Sequence, residues 1–426
     1  LAVITGCLVG FTIDRSTRFS ALDEATHIDY VWDIAHGKLP AKGDKLSDWT
    51  LAEWACRGQA NIKNLPACGS GAGAKGFPGS GSQYNFAHPP LYYAVNAGIA
   101  LVVTGISPVG FFDASRIGSG IWLLAGLIAL YLAMRYWGVR WSVALPATIT
   151  ATALPVVLHA GTITTNDAPA VLCGALAVYL LARAVKYANY GWVLPALVTL
   201  AAAATKILNG VPMLAIAGFL LLLGIGLWRR AGFRTGWPAI RLSMALVLPV
   251  AAVYVGWRYF QSVRGVPNYH NPIAGVNTVP IVGTPIREWI STEFRGFALG
   301  DNYYLDPTVN SPYIPLWMNV IVLLLSVAAF VTILMFRKST PQRAAGWTLM
   351  IGCLLVPLVV QLQTYLSSDG MEYFRNVSTR YGMSLIPLAL LCLALAVDAR
   401  RIRVLTWLVP AAGIAAVALG VAGVNS

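Results

Sequence analysis

The chain has 426 residues, of which 57% are hydrophobic and only 11% charged, and its mean hydropathy is +0.65. Soluble globular proteins carry about 25% charged residues, so this composition excludes a soluble enzyme. The formal charge of +13 does not point to nucleic acid, because basic residues in so apolar a chain report orientation in a bilayer through their place in the loops.

Apolar runs of about 20 residues, the length that crosses a hydrocarbon core, recur nearly from end to end. The first, residues 1–11, opens without an initiator Met, and a cytoplasmic tail and part of that span are expected to precede it. Further spans are expected at 115–133, 142–158, 168–182, 191–206, 209–228, 242–257, 315–336, 345–363, 383–397 and 404–422. The sequence thus predicts an all-α polytopic membrane protein of about eleven transmembrane helices, forming a single unit over 1–426. The run 91–106 follows Pro89-Pro90 and is short for a crossing. It is expected to lie as a helix along the outer surface.

Alternate connections hold Arg135 and Arg140, then Arg183 and Lys186, then Arg229, Arg230, Arg234 and Arg241, then Arg337, Lys338 and Arg343, then Arg400, Arg401 and Arg403. The positive-inside rule makes these loops cytoplasmic, and the acid they contain is Asp398. Acid and base chemistry is therefore expected on the extracytoplasmic face of a plasma-membrane protein. Three long loops fall on that side, 13–114, 258–314 and 364–382, and long loops beside a compact bundle are functional or disordered.

The first loop includes the flexible tether GSGAGAKGFPGSGS at 69–82. Gly71, Gly73 and Gly76 match the GxGxxG spacing, but no strand precedes them and no βαβ unit surrounds them, so a dinucleotide site is rejected. Cys56 and Cys68 lie in an oxidising compartment, which permits a disulfide between them. Cys7, Cys173, Cys353 and Cys392 fall in apolar runs and read as packing residues.

Two segments of this loop carry chemistry: Leu22-Asp23-Glu24-Ala25-Thr26-His27-Ile28-Asp29-Tyr30 and His88-Pro89-Pro90-Leu91-Tyr92-Tyr93. Adjacent carboxylates at a bilayer surface are costly unless solvated, paired or used. The bland reading is a solvated helix start with acids near its positive end, and a proline pair that merely opens a helix. His27 stands at helical spacing from Asp23 and Glu24, so a metal set of Asp23, Glu24, His27 and Asp29 is conceivable. With one imidazole and no second ligand cluster, no metal or other cofactor is expected. His36, His159 and His270 read as structural or solvated.

Together the two segments resemble the first extracytoplasmic loop of the GT-C glycosyltransferase superfamily, in its protein O-mannosyltransferase and aminoarabinose transferase branch. There an Asp-Glu-x-x-His-aromatic element and a His-Pro-Pro-Leu or Lys-Pro-Pro-Leu element flank one loop. Arg116 in Ala114-Ser115-Arg116-Ile117 is similar to the family's Arg at the second span. Thr165-Asn166-Asp167-Ala168-Pro169 is similar to its Asp-bearing outer turn, Thr205-Lys206-Ile207 to its Lys after the fifth span, and Arg380-Tyr381 to its Arg-Tyr near the last loop. Phe86-Ala87 stand where the mannosyltransferases place an acid, and His88 stands where the aminoarabinose transferases place a lysine.

The resemblance implies an inverting transfer of a sugar, mannose or arabinose favoured, from a polyprenyl-phosphate donor. It makes Asp23 the general base and Glu24 its support or the acceptor's anchor. His27, His88, Arg116, Lys206, Arg380 and Tyr381 would meet the donor phosphate and sugar. Asp167 orients sugar hydroxyls or neutralises a base, and the sequence does not choose between them. For Arg116 and Arg380 the bland alternative is snorkelling to lipid headgroups, and for Lys206 it is pairing with Asp167. No large soluble domain is expected after the last span, and a lipid or cell-wall glycan acceptor is expected rather than a protein. The loop 258–314, with Glu288, Glu293, Tyr303 and Tyr304, is the expected acceptor cover. A transporter or flippase of lipid-linked sugars is the alternative, disfavoured because no inverted repeat is seen and the charges gather at helix ends.

Overall fold

The computed structural model describes residues 1–21, 23–59, 62–267, 269, 278–284, 286, 324–325, 327–368, 370–375, 377–400 and 403–422. His270, Glu288, Glu293, Tyr303, Tyr304 and much of the expected span 315–336 lie outside the described residues.

The chain is mostly helical: α1 (Ala2–Arg15), α2 (Glu24–Ala35), α3 (Asp48–Arg57), α4 (Leu91–Ile106), α5 (Phe111–Trp137), α6 (Trp141–Thr152), α7 (Pro155–Ala160), α8 (Ala170–Val185), α9 (Val193–Thr205), α10 (Val211–Ala231), α11 (Phe233–Arg264), α12 (Thr340–Ser367), α13 (Ile386–Arg400) and α14 (Arg403–Ala422). Residues 327–335 are helical as well. Five segments among the described residues are long and apolar enough to cross a membrane: Phe111–Trp137, Ile207–Ala231, Phe233–Arg264, Thr340–Ser367 and Arg380–Arg400. The protein is a multi-pass membrane protein.

Helix lengths alone do not give the eleven expected crossings, because several expected spans stop early. At 1.5 Å per residue, α8 reaches only about 24 Å, short of the roughly 30 Å core. It begins after Pro169, and α9 ends before Lys206, whose extended backbone (φ −165°, ψ 135°) interrupts the helix. The expected span 142–158 is likewise divided. Helix α6 ends at Thr152 and Pro155 opens the six-residue α7, since a proline has no N–H to continue the preceding helix.

A second difference is a small sheet where only helices were expected. Strands β1 (Thr278–Pro280) and β2 (Glu372–Phe374) pair antiparallel, Thr278 opposite Phe374 and Pro280 opposite Glu372. Three-residue strands are too short to show the alternation that reveals a strand.

The main core is aliphatic and runs through α5, α8, α10, α12 and α13. A separate cluster of Phe19, Ile28, Leu46, Leu51, Trp54, Phe77 and Phe112 holds the first loop together. There α3 is tied at its end by a Cys56–Cys68 disulfide. Helix α4 packs on α2 and α5, burying Tyr92, Tyr93 and Asn96 and leaving Val95, Leu101, Val102 and Ile106 exposed.

The helices run from a mixed-charge end to a basic end. Helix α5 passes from Arg116 to Arg135, and α13 from the neighbourhood of Arg380 to Arg400. Lys186, just past α8, donates to the carbonyls of Tyr136 and Trp137 at the end of α5. The first loop lies over the opposite end, where α2 meets α4 and α5.

Candidate functional site

Helix α2 begins abruptly. Asp23, at its N-cap, is held in the left-handed region (φ 60°, ψ 9°) without a side-chain cap bond, a conformation that costs a non-glycine residue energy and persists only where neighbours enforce it. This kink sends the consecutive carboxylates of Asp23 and Glu24 to different partners.

Glu24 is fully buried against Arg116, itself fully buried. The guanidinium forks onto it, Nε to Oε1 at 2.7 Å and Nη2 to Oε2 at 2.7 Å. Backbone N–H groups of Ser20 and Thr164 add bonds of 2.7 and 2.9 Å. Arg116 also donates to the carbonyls of Ser16 and Arg18 and lies over the Phe112 ring. Its three nitrogens are all engaged within the protein. In this structure Arg116, expected to meet the donor phosphate, neutralises Glu24 and ties the α1–α2 connection to α5 and the 161–169 turn. Glu24 accepts from four donors, all within the protein.

Asp23 is different. Its side chain keeps 37% of its exposure, accepts from the Tyr84 hydroxyl at 2.7 Å on Oδ1 and faces Arg380 Nη2 at 3.2 Å on Oδ2. Burial pushes the carboxyl upward, but the Arg380 charge and the bonds from Tyr84 and Arg380 outweigh it, and the group is held below its ordinary 3.8. It is an ionised carboxylate with one side open.

Arg380 and Tyr381 sit in a turn, Thr379–Leu385, that presses on α8 where Gly174 leaves room: a Cβ there would fall 2.1 Å from the Ser384 carbonyl oxygen. The break before Lys206 aims its ammonium at Asp167, Nζ to Oδ1 at 2.5 Å, with side-chain exposures of 6% and 8%. Lys206 also lies over the Tyr381 ring at 5.2 Å, and Arg380 over the same ring at 5.5 Å. Burial raises the Asp167 carboxyl, but Lys206 and Arg380 bring it below the usual range. The pairing that sequence offered as the bland reading of Lys206 is thus present.

His27 and His88 stack with ring centroids 6.2 Å apart, and His27 Nδ1 is 2.8 Å from the Tyr93 hydroxyl. Desolvation lowers both to about 3, helped for His27 by His88 and for His88 by Lys206, so both imidazoles are neutral and each keeps one N–H to donate. Gln83 and Asn85 place the His88 segment on α2. The Gln83 amide donates to the Thr26 carbonyl at 2.9 Å and to Asp29 Oδ2 at 2.8 Å, and Asn85 donates to the Thr26 hydroxyl at 2.8 Å.

The conceivable metal set is scattered. Glu24 is taken by Arg116, and Asp29 accepts from the Ser47 backbone and hydroxyl at 2.8 and 2.7 Å. Among the described residues no group of three His, Cys, Asp or Glu is placed to hold a metal ion.

Asp23, His27, His88, Asp167, Lys206, Arg380 and Tyr381 therefore come together at one end of the bundle. Two further residues stand at this cluster. Tyr84 carried no charge and no motif, and its partner lies 61 residues away. His159, read as structural or solvated, has Nε2 3.0 Å from the Ser20 hydroxyl. It lines a narrow cleft with Val156, Ile163, Thr165, Asp167, Arg380 and Met383. Its signal was position: it sits just past the end of an expected span, level with the other charges.

No family model matches this chain, and no curated protein is detectably similar to it. Among solved structures, it is similar to ArnT from Cupriavidus metallidurans bound to undecaprenyl phosphate, at 15% identity and TM-score 0.49 over 93% of this chain and 60% of that one. The apo state of the same protein gives 14% identity and TM-score 0.49 over 93% and 59%. This chain spans about three fifths of the length of those chains.

Proposed function

We propose that this chain is a GT-C-type membrane glycosyltransferase that takes a sugar, mannose or arabinose favoured, from a polyprenyl-phosphate donor. The acceptor is a hydroxyl of a lipid or cell-wall glycan, on the extracytoplasmic face of the plasma membrane. In this reading residues 1–426 form one unit with about eleven crossings, α4 lies along the outer surface, and the loops 13–114, 258–314 and 364–382 are extracytoplasmic. The observation that carries the reading is Asp23, an ionised and half-open carboxylate beside Arg380, with Lys206, Asp167 and two neutral imidazoles around it.

The chemistry balances on these groups. As the acceptor oxygen bonds to the anomeric carbon from the face opposite the phosphate, Asp23 takes the hydroxyl proton. The bond from that carbon to the phosphate oxygen breaks, and polyprenyl phosphate leaves with one more negative charge than it had as a diester. Negative charge therefore moves from Asp23 to the phosphate, and Arg380, already at Asp23, is placed to follow it. Lys206 supplies the second cation, and His27 and His88 supply neutral donors where charge develops. Asp167 keeps Lys206 in register, and the Tyr381 ring spaces the two cations.

The test is transfer itself. Purified protein in lipid is incubated with a panel of polyprenyl-phosphate sugars and glycolipid acceptors, wild type beside Asp23→Asn, and product is followed by mass spectrometry. Transfer that disappears in a folded, donor-binding variant supports the reading. Donor binding without transfer by either form sinks it in favour of lipid-linked sugar transport.

A further inference from the structure

At the basic end of the bundle, two of the turns spend charges on the protein itself. Arg135 donates to the Val139 carbonyl at 2.7 Å, and Arg140 faces Asp398 at 3.5 Å. Lys186 donates to the Tyr136 and Trp137 carbonyls at 3.1 and 2.9 Å. The turn between α10 and α11 does not, nor does the turn at Arg337, Lys338 and Arg343, and the first of these differs from the second in the rings beside its charges. Arg229, Arg230 and Arg234 are exposed, and among the described residues none of them is bonded to a carboxylate or a carbonyl.

Beside these arginines stands a row of exposed rings. Trp228 and Phe233 lie 5.4 Å apart and Phe233 and Trp237 5.1 Å, with exposures of 49%, 48% and 39%. The backbone explains why they face outward. Helices α10 and α11 touch at Gly224 and Gly236, where a Cβ on Gly236 would fall 2.2 Å from the Gly224 carbonyl oxygen and 2.8 Å from the Trp228 nitrogen. Nothing large fits between the helices there, so the rings and guanidiniums of this hairpin are turned outward. Gly232, at φ 88°, makes the reversal.

Exposed Trp and Phe at a helix end suit the headgroup level of a bilayer. Guanidiniums without internal partners at that level suit a phosphate, which their planar forks bind through paired bonds. We propose that the α10–α11 tip binds the headgroup of an acidic phospholipid, its phosphate on Arg229, Arg230 and Arg234 and its acyl chains against the apolar flanks of the hairpin. The site needs only the membrane embedding and is independent of the transfer chemistry at the opposite end.

The test compares lipid retained by the purified protein. Protein equilibrated with mixed phosphatidylglycerol and phosphatidylcholine vesicles and extracted into detergent is weighed by native mass spectrometry. Wild type is set beside R229Q/R230Q/R234Q and beside R337Q/K338Q/R343Q, which removes three exposed charges from another turn. Wild type and the second variant are expected to retain phosphatidylglycerol preferentially, and the tip variant to lose that preference by about tenfold or more, with its thermal unfolding unchanged. Equal retention by wild type and the tip variant overturns the site, as does an equal loss in the second variant. Displacement of the lipid by inorganic phosphate alone makes the tip a free-anion site and overturns the lipid assignment.

Discussion

Asp23 and Glu24 are neighbours in sequence, each faces an arginine, and they are put to opposite uses. Glu24 and Arg116 share two short parallel bonds in a place water does not reach, with further bonds from the backbone N–H groups of Ser20 and Thr164 to Glu24 and from Arg116 to the carbonyls of Ser16 and Arg18. Asp23 and Arg380 share one longer contact at 3.2 Å, and the carboxylate stays partly open. A buried pair of the first kind resists loss of either partner, because the survivor is left as an uncompensated charge. The second kind can exchange partners at small expense, since a half-exposed pair is worth little in itself. What separates them is the left-handed turn at Asp23, which points consecutive side chains into different surroundings.

The largest expected effect falls on the closed pair. Arg116→Leu strands the Glu24 charge and is expected to destabilise the fold by about 3–5 kcal/mol, read as loss of folded protein in detergent thermal unfolding. Arg116→Lys is expected to rescue only part of this, because an ammonium cannot supply the fork. Next comes the open carboxylate: Asp23→Asn is expected to leave the protein folded with only a small loss of stability and to lower turnover by about 10²–10⁴, measured as transfer rate. Arg380→Gln is expected to lower kcat by about 10²–10³, again with an intact fold; equal losses of stability in Arg116→Leu and Arg380→Gln would erase the contrast.

The smallest effect is expected at Tyr84. Tyr84→Phe removes one hydrogen bond to the ionised Asp23, worth about 1 kcal/mol, and shifts the acidic limb of the kcat/KM profile upward. The sign follows from the depressed carboxyl. Asp23 stays a base down through its folded pKa, below 3.8, and the stability linked to it is present above the ordinary value and fades as pH falls through the lowered one. An unmoved acidic limb in Tyr84→Phe would break the assignment of Asp23 as the titrating base.

Part of this cluster was legible in the sequence: Asp23 and Lys206 because charged residues are expensive in an apolar chain, Asp167 and Arg380 through the motifs by which they resemble the superfamily. The division of labour was not legible. Nothing in the letters Asp-Glu shows that one faces inward, since that depends on a φ angle, and nothing near Arg116 shows that its partner is Glu24, 92 residues away. Tyr84 and His159 were hidden for the same reason: each acts through a contact distant in sequence. The bundle was clearer than its breaks. Expected span 142–158 contained Pro155, yet a proline within an apolar run can be carried by a kinked helix, and only the packing shows that the chain stops and restarts there.

The disulfide between Cys56 and Cys68 has a consequence for how the protein must be handled. Helix α3 is fastened at its start, where Ser47 grips Asp29 of α2, and at its end by the covalent bond. It works as a brace for the helix that carries Asp23, Glu24 and His27. Material matured in a reducing compartment is therefore expected to carry an intact bundle under a slack cover. Such a preparation would look sound by its spectrum and its yield while its first loop no longer held the site in register.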